Sequence, residues 1–402
     1  MKQNTTYKQT ELGLIPEDWE LKKLGKVGEI DKKSLNSNTD KEYEFDYISL
    51  SDVDSDQFSI KTSKQKFKNA PSRARRIVKK GDVLLSTVRP NLEGFTIIRD
   101  EVKDLIASTG FAVITSKNEL HNEYLFNFLF SNIIKRQFHK LLVGSNYPAI
   151  NSSDVKNLKI PVPPLPEQKK IADCLSTWDV AIEKQNALIN ALTERKKALM
   201  QQLLTGKKRL PGFEGKWNLN SINDLFIFKN GKAHENDIDE NGKYILVNSK
   251  FISTDGEILK KTNSNLAPLE VNDLVFVMSD VPNGKALAKF FLIKEDNLYT
   301  LNQRIGLLKI KKGNPIFMYY LLNRNAYFLM FDNGVGQTNL RKDDILDCPL
   351  NIPSLSEQTA IAEILTIADR ELQLQKEKLV QLQTQKKGLM QVLLTGKKRL
   401  IN

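Results

Sequence analysis

The chain has 402 residues, of which 40% are hydrophobic and 27% charged, and it carries a formal net charge of +12. No apolar run approaches the ~18 residues that a membrane-spanning helix needs, and no secretory signal pattern opens the chain, so the expected location is the cytoplasm. Cys174 and Cys348 lie far apart without CxxC spacing, which excludes a disulfide framework and leaves two thiols.

In chain order, residues 14–160 alternate β-rich runs with turns: YISL, GDVLLSTV and FAVIT, followed by the amphipathic NEYLFNFLFSNIIKRQF. The lead-in PVPPLPEQ then fixes extended backbone. Glu167 follows in what the pattern marks as the first turn of a long helix, where a carboxylate suits the positive end of the dipole. Proline-free sequence runs on to Gly206, which is expected to close that helix in a left-handed conformation. A second globular stretch, 212–350, offers KYILVNS, NDLVFVMS, KFFLI, RIGLLKI and then IFMYYLLNRNAYFLMF. NIPSLSEQ, with Glu357, opens a second helix that is expected to end at Gly396.

The two long helical segments are copies. Shifted by 190 positions, 161–210 and 351–400 share 23 identities in 50 columns without a gap, ending in LLTGKKRL both times. The same offset continues upstream into 144–160 and 334–350, and a weaker echo sets Trp19 opposite Trp217. The chain is therefore two tandem halves of about 200 residues, each of ordinary domain size.

Both copies carry a heptad seam. The first runs Ile171, Leu175, Trp178, Ile182, Gln185, Ile189, Leu192, Lys196, Leu199, Leu203; the second runs Ile361, Leu365, Ala368, Leu372, Gln375, Leu379, Leu382, Lys386, Leu389, Leu393. A strict 3.5-residue period predicts a left-handed coiled coil between them. A parallel in-register pair would set Lys196 on Lys386. An antiparallel pair relates the halves by a pseudo-twofold axis and is expected to place Gln185 near Lys386 and Lys196 near Gln375. The basic ends, ERKK, QKK and GKKRL, complement the helix dipole.

The charge is uneven. Residues 1–166 carry +5, 167–210 carry +4, 211–356 carry 0 and 357–402 carry +3. This raises the prospect of nucleic-acid binding without establishing it. Catalytic signatures are missing: no GxxxxGK[ST], no HExxH and no GxSxG occur, and His121, His139 and His234 are scattered. Asp280-Val281-Pro282-Asn283 faintly resembles an adenine-methyltransferase box but lacks its second proline and its stacking aromatic, so it reads as a turn.

The doubled PPLPEQKKIADCL/IPSLSEQTAIAEIL lead-ins, the doubled LLTGKKRL ends and the IPEDWELKKLG opening together resemble the specificity subunits of type I restriction–modification systems, over essentially the whole chain. That resemblance implies two α/β (α+β) target recognition domains, 1–162 with its lead-in and 211–352. They would be separated by spacer helices, 163–210 and 353–402, that form an antiparallel coiled coil with pseudo-twofold symmetry. It implies a non-catalytic, sequence-specific reader of a bipartite, asymmetric site in double-stranded DNA. Such a reader docks methyltransferase (modification) subunits, expected to be two, and joins restriction/translocase subunits through the complex. No cofactor or metal is expected on this chain; S-adenosylmethionine, ATP and Mg are expected on the partners. A helix of roughly 38 residues spans about 57 Å, enough to set half-sites about one helical turn, roughly 34 Å, apart. Lengthening or shortening the helices is expected to change that spacing and leave the half-site sequences alone.

On this reading the candidate DNA contacts in the first domain are Arg73, Arg75 and Arg76, the strand end Ser86, Thr87 and Arg89, and the loop Ser145, Asn146 and Tyr147. In the second they are Asn248, Lys250, Asn283, Lys285, Gln303, Arg304, Gln337, Thr338, Asn339 and Arg341, with Arg304 of NQRIG the foremost. Arg pairs with guanine and Asn with adenine through two hydrogen bonds each, whereas Lys79 and Lys80 suit phosphate. The alternative for each is a polar side chain that simply faces water and touches no ligand. The rival function is a non-catalytic coiled-coil adaptor with protein-binding heads, which predicts binding insensitive to salt; metal-dependent cleavage by the isolated chain would point to a nuclease.

Overall fold

The computed structural model describes residues 6–54, 59–142, 148–234, 237–282 and 284–400. It divides into two compact units, and neither is a simple half of the chain. Unit one comprises 1–188 together with 375–402; unit two comprises 189–374.

In unit one, two four-stranded sheets carry the globular part. The first has the order Phe95–Ile97, Val83–Ser86, Phe111–Ser116, Gly28–Ile30, antiparallel throughout. Val83–Ser86 is buried along its whole length and Phe111–Ser116 over its first four residues, which is why VLLS and FAVI read as continuous apolar runs rather than alternating ones. The second sheet has the order Ser63–Lys66, Glu44–Ile48, Leu105–Ser108, Ala74–Val78. Within it Glu44–Ile48 and Leu105–Ser108 run parallel. The amphipathic NEYLFNFLFSNIIKRQF forms two helices, Asn122–Phe128 and Asn132–Leu142. Buried Ser131 lies between them, its hydroxyl capping the second helix by accepting the Ile134 N–H.

Unit two repeats the plan. Its antiparallel sheet has the order Phe226–Asn230, Ile305–Ile310, Leu274–Val277, Phe290–Leu292. The smaller sheet pairs Tyr244–Val247 parallel to Tyr299–Leu301, with Lys260–Thr262 on the other side. The apolar IFMYYLLNRNAYFLMF again breaks into two helices, Pro315–Leu322 and Ala326–Leu329. Arg324 takes a positive φ of 57° between them, and the Asn325 side chain caps the second.

Each unit closes on a two-stranded ribbon that leads into a long helix. Lys159–Val162 pairs with Glu20–Lys23, and Pro349–Ile352 with Asn218–Ser221. The helices that follow are Leu165–Leu203 and Leu355–Leu393, 39 residues each. Gly206 and Gly396 take φ of +69° and +70° three residues beyond the helix ends, where Gly206 N–H returns to Leu203 O and Gly396 N–H to Leu393 O.

The apolar cores explain the division into units. Ile171 and Leu175 from the start of the first helix join the first core together with Met390, Leu393 and Leu394 from the end of the second. Leu203 from the end of the first helix joins the second core together with Ile361, Ala362 and Leu365 from the start of the second. The helices therefore run antiparallel. Along the seam Ile182, Gln185, Leu192, Ala368, Leu372 and Lys386 are buried as well, while Trp178, Ile189, Lys196, Leu199, Gln375, Leu379, Leu382 and Leu389 are half-buried.

One expectation is corrected: the seam glutamines and lysines do not meet across the pair. In unit one Gln185 Nε2 donates to Gln375 Oε1 at 2.8 Å, amide to amide. Lys386 instead reaches Asp179 in unit one, and Lys196 reaches Asp369 in unit two. An ammonium in a seam largely shielded from water needs a carboxylate, and Asp179 and Asp369 lie just beside the apolar seam positions Trp178 and Ala368.

Candidate nucleic-acid interface

The parallel strand pair is what gathers polar residues in each unit. In unit one Glu44–Ile48 and Leu105–Ser108 finish at the same end. There Thr109 N–H donates to Arg73 O, Thr87 N–H to Gly110 O and Arg89 N–H to Pro148 O. Arg73, Thr87, Arg89 and the segment after Tyr147 thus share one end of the domain. Arg89 is exposed at φ 49°, starting the turn Pro90–Leu92. Ser145, Asn146 and Tyr147 lie outside the described residues.

Several candidates of the first domain are committed within the protein. Arg75 lies 4.8 Å over the Phe67 ring and donates to Ala74 O. Arg76 pairs at 3.1 Å with Asp31, whose side chain is only 7% exposed. The hydroxyls of buried Ser86 and Thr87 donate to Val88 O and Gly110 O.

In unit two the strand ends of Tyr244–Val247 and Tyr299–Leu301 are joined by Asn302 N–H donating to Val247 O. Asn248, Lys250, Gln303 and Arg304 follow from these ends. Lys250, Gln303 and Arg304 are exposed, while the Asn248 side chain caps the helix Ser249–Ser253 through Phe251 N–H. Arg304 sits at φ 65° at the turn into Ile305–Ile310 and is exposed there. Lys232 joins this cluster, bridging to Asn302, and was not singled out by residue type alone.

A second cluster forms where Ser279–Asp280 pairs with Thr338–Asn339. This brings exposed Lys285 to the same region as Gln337, Asn339 and Arg341. Thr338 is 7% exposed. Asp332 braces the loop by accepting from Gly334 N–H, and Asp280 accepts from Val281, Ala286 and Leu287 N–H, the turn that the sequence suggested. Asn283 lies outside the described residues.

The helix ends are clamped by charge. In unit one Arg399 Nε and Nη2 donate to the two oxygens of Glu167, both at 2.7 Å, and Trp19 Nε1 donates to Glu167 at 3.0 Å. Arg399 also grips Asp18 with two bonds and holds its carboxyl below the usual aspartate range. In unit two Arg209 grips Glu357 in the same two-pronged way, at 2.6 and 2.7 Å. The arginine of each LLTGKKRL thus closes on the glutamate that opens the other repeat. Neither clamp was predicted, although the 190-residue offset links Arg209 with Arg399 and Glu167 with Glu357.

Among the described residues no group of three or more His, Cys, Asp or Glu could hold a metal ion, and no helix is long and apolar enough to cross a membrane. Burial pushes the Cys348 thiol up to about 12, so it stays protonated in its core.

Comparison with known proteins follows the same two-fold division. The family model for the type I restriction modification DNA specificity domain matches twice, at residues 16–194 and 214–384. The chain is 28% identical over 421 residues to the type I restriction enzyme MjaVIII specificity subunit of Methanocaldococcus jannaschii, covering 96% of this chain and 95% of that protein. Two solved structures share the fold. One, from work on complex assembly and conformational transition of the type I R-M system, has a TM-score of 0.64 at 19% identity and covers 96% of this chain and 99% of its own. The other, the S subunit of a type I restriction–modification system from M. genitalium, has a TM-score of 0.57 at 15% identity and covers 98% and 97%.

Proposed function

The chain belongs to the type I restriction modification DNA specificity family, and from that premise we propose that it is the sequence-reading subunit of a restriction–modification complex. It supplies the address and leaves the chemistry to its partners. Its two recognition domains, 1–162 and 211–352, each read one half of an interrupted, asymmetric site in double-stranded DNA. The spacer helices, 163–210 and 353–402, set the distance between them and dock two methyltransferase subunits. S-adenosylmethionine, ATP and Mg belong to those subunits and to the restriction/translocase subunits, and the complex works in the cytoplasm.

One observation carries this reading. Both units repeat the same parallel strand pair, and the residues at its end differ: Arg73 and Arg89 in unit one, Asn248, Gln303 and Arg304 in unit two. One scaffold bearing two different sets of base-sized donors and acceptors suits two unlike half-sites. Arg304 is the foremost base reader, and Arg73 and Arg89 lead in the first domain.

Co-expression with its methyltransferase subunit, followed by single-molecule mapping of modified adenines across a genome, tests the proposal. The expected result is one interrupted motif, of which replacing either domain by that of a relative changes one half only. Unmodified DNA from an assembled complex that holds its methyl donor would overturn it in favour of a coiled-coil adaptor.

A further inference from the structure

Unit one carries a basic cleft away from the strand ends just described. It has a volume of about 320 Å³ and lies between the Lys79–Asp82 turn, the segment 115–122 and the start of the first long helix. Exposed Lys79, Lys80, Lys117 and Lys169 surround it. An adjoining cleft shares Lys79, Asp82 and Thr115 with it and adds Lys32 and Lys33, so the positive charge continues as a stripe.

The acids nearby, Asp82, Glu29 and Glu101, offset only part of that charge. Asp82 is 2% exposed and already accepts from Lys79 N–H and the Thr115 hydroxyl. Lys80 pairs with Glu101 and Lys32 with Glu29. Lys33, Lys79, Lys117 and Lys169 have no ion-pair partner among the described residues. His121, in the cleft wall, is held towards its neutral form by burial and adds no charge.

Unit two builds the same corner with less charge. Gln168 accepts the His121 N–H in unit one, and Gln358 accepts the Asn314 N–H in unit two. Asp273 accepts the Glu270 N–H just as Asp82 accepts that of Lys79. By this match Glu270 stands where unit one has Lys79, and Thr359 where it has Lys169. Glu270 moreover pairs with Lys309. The corner keeps its shape with Glu270 and Thr359 in those two places, so Lys79 and Lys169 are not required by the fold. Lys117 has a counterpart in Lys311, whose N–H donates to Leu225 O as that of Lys117 does to Val27 O, and whose ammonium likewise donates to a carbonyl of the preceding short helix.

We propose that this cleft of unit one is a phosphate-binding site that grips the sugar–phosphate backbone of duplex DNA whatever its sequence. The inference rests on the DNA-reading function above and adds a sequence-independent hold that is stronger in one half than in the other. Lysine acts on phosphate as a point charge and makes no two-pronged match to a base edge. A stripe of such charges suits a linear polyanion with a charge every ~1.7 Å better than a single free phosphate.

The test uses the full chain in complex with its methyltransferase subunits and the variant Lys79→Gln/Lys117→Gln/Lys169→Gln. Affinity is measured from 50 to 300 mM salt for a duplex containing the mapped site and for a duplex lacking it. The expected result is an equal loss on both duplexes, roughly tenfold or more at physiological salt. The slope of log affinity against log salt should become shallower by about 2 to 3, with the methylated motif and the unfolding midpoint unchanged. Unaltered affinity and slope in a variant that folds and assembles would overturn the proposal. Loss of complex assembly with an unaltered slope would do the same and assign the cleft to an acidic protein surface. Saturable ATP or inorganic phosphate binding by the wild type, lost in the variant while the duplex slope stays, would assign it to a free phosphate ligand. A wild-type complex that shows no salt-dependent duplex binding would instead sink the DNA-reading function itself.

Discussion

Arg399 and Glu167 are 232 residues apart in sequence and joined by two parallel hydrogen bonds of 2.7 Å. Glu167 is 2% exposed and the Arg399 side chain 8% exposed, so the last described turn of the chain neutralises a carboxylate buried at the start of the first long helix. A buried carboxylate without its cation is costly. The end of the chain is accordingly a structural part of unit one.

The tryptophans beside the two clamps separate a hydrogen bond from simple packing. Trp19 Nε1 donates to Glu167, whereas the equivalent Nε1 of Trp217 is buried with no acceptor among the described residues. Trp19→Phe is expected to destabilise unit one by about 1.5–3 kcal/mol, the range for a hydrogen bond to a charged group. Trp217→Phe, which removes an unsatisfied donor, is expected to leave unit two within about 1 kcal/mol of wild type. Urea unfolding of the two variants, followed by the tryptophans that remain, checks the contrast.

The equivalent lysine–aspartate pairs in the helical seam differ in burial. Lys386 and Asp179 are 10% and 12% exposed, and burial pushes the Asp179 carboxyl up against the pull of Lys386. Lys196 and Asp369 are 21% and 43% exposed. Lys386→Met should cost about 3–5 kcal/mol because it strands Asp179, and adding Asp179→Leu should recover most of that. Lys196→Met should cost about 0–1 kcal/mol. A double-mutant cycle by denaturant unfolding measures both; equal costs would contradict the burial argument.

Acid stability carries the mark of the Arg399 clamp. The Arg399 guanidinium holds the Asp18 carboxyl below its ordinary value of 3.8. A carboxylate lowered on folding stabilises fully above its unfolded value, and that stability is lost as pH falls through the lower folded value. Asp18→Asn is therefore expected to flatten the decline of the unfolding midpoint below about pH 4 and to leave its shape above pH 5 unchanged. A decline as steep as that of wild type would remove Asp18 from the account.

Arginines of the two recognition domains are expected to fail differently. Arg304→Ala should relax the second half-site at one position, by about 1–3 kcal/mol of discrimination, without changing stability. Arg76→Ala should leave the half-site sequence unaltered and lower stability, because it strands Asp31. Motif mapping together with thermal unfolding of both variants tells them apart.

Much of the architecture was legible because the sequence repeats. A gapless 190-residue offset marked the long helices, and the glycines of both LLTGKKRL copies do take positive φ. What stayed hidden is non-local. Nothing in EFDYI or LIAS announces that these strands pair in parallel, yet that pairing gathers the polar ends. Leu393 and Leu394 read as the finish of the second helix, and only the antiparallel course places them in the first core. The heptad pattern tracks apolar positions, so it passed over Asp179 and Asp369, the residues that the seam lysines seek. Ser131 and Arg324, where one helix gives way to the next, act through local hydrogen bonding and backbone conformation rather than hydrophobic period.

The division into units also bears on synthesis. Unit two is an unbroken stretch, 189–374, but unit one needs 375–402 as well as 1–188. During translation the amino-terminal domain therefore emerges first and is completed last. The 186 residues that separate its two pieces take roughly 10–40 s to add at about 5–20 residues per second. Throughout that interval Ile171 and Leu175 lack the Leu393 and Leu394 side chains that cover them in the finished protein, and the nascent chain has its longest opportunity to meet a chaperone or a partner there.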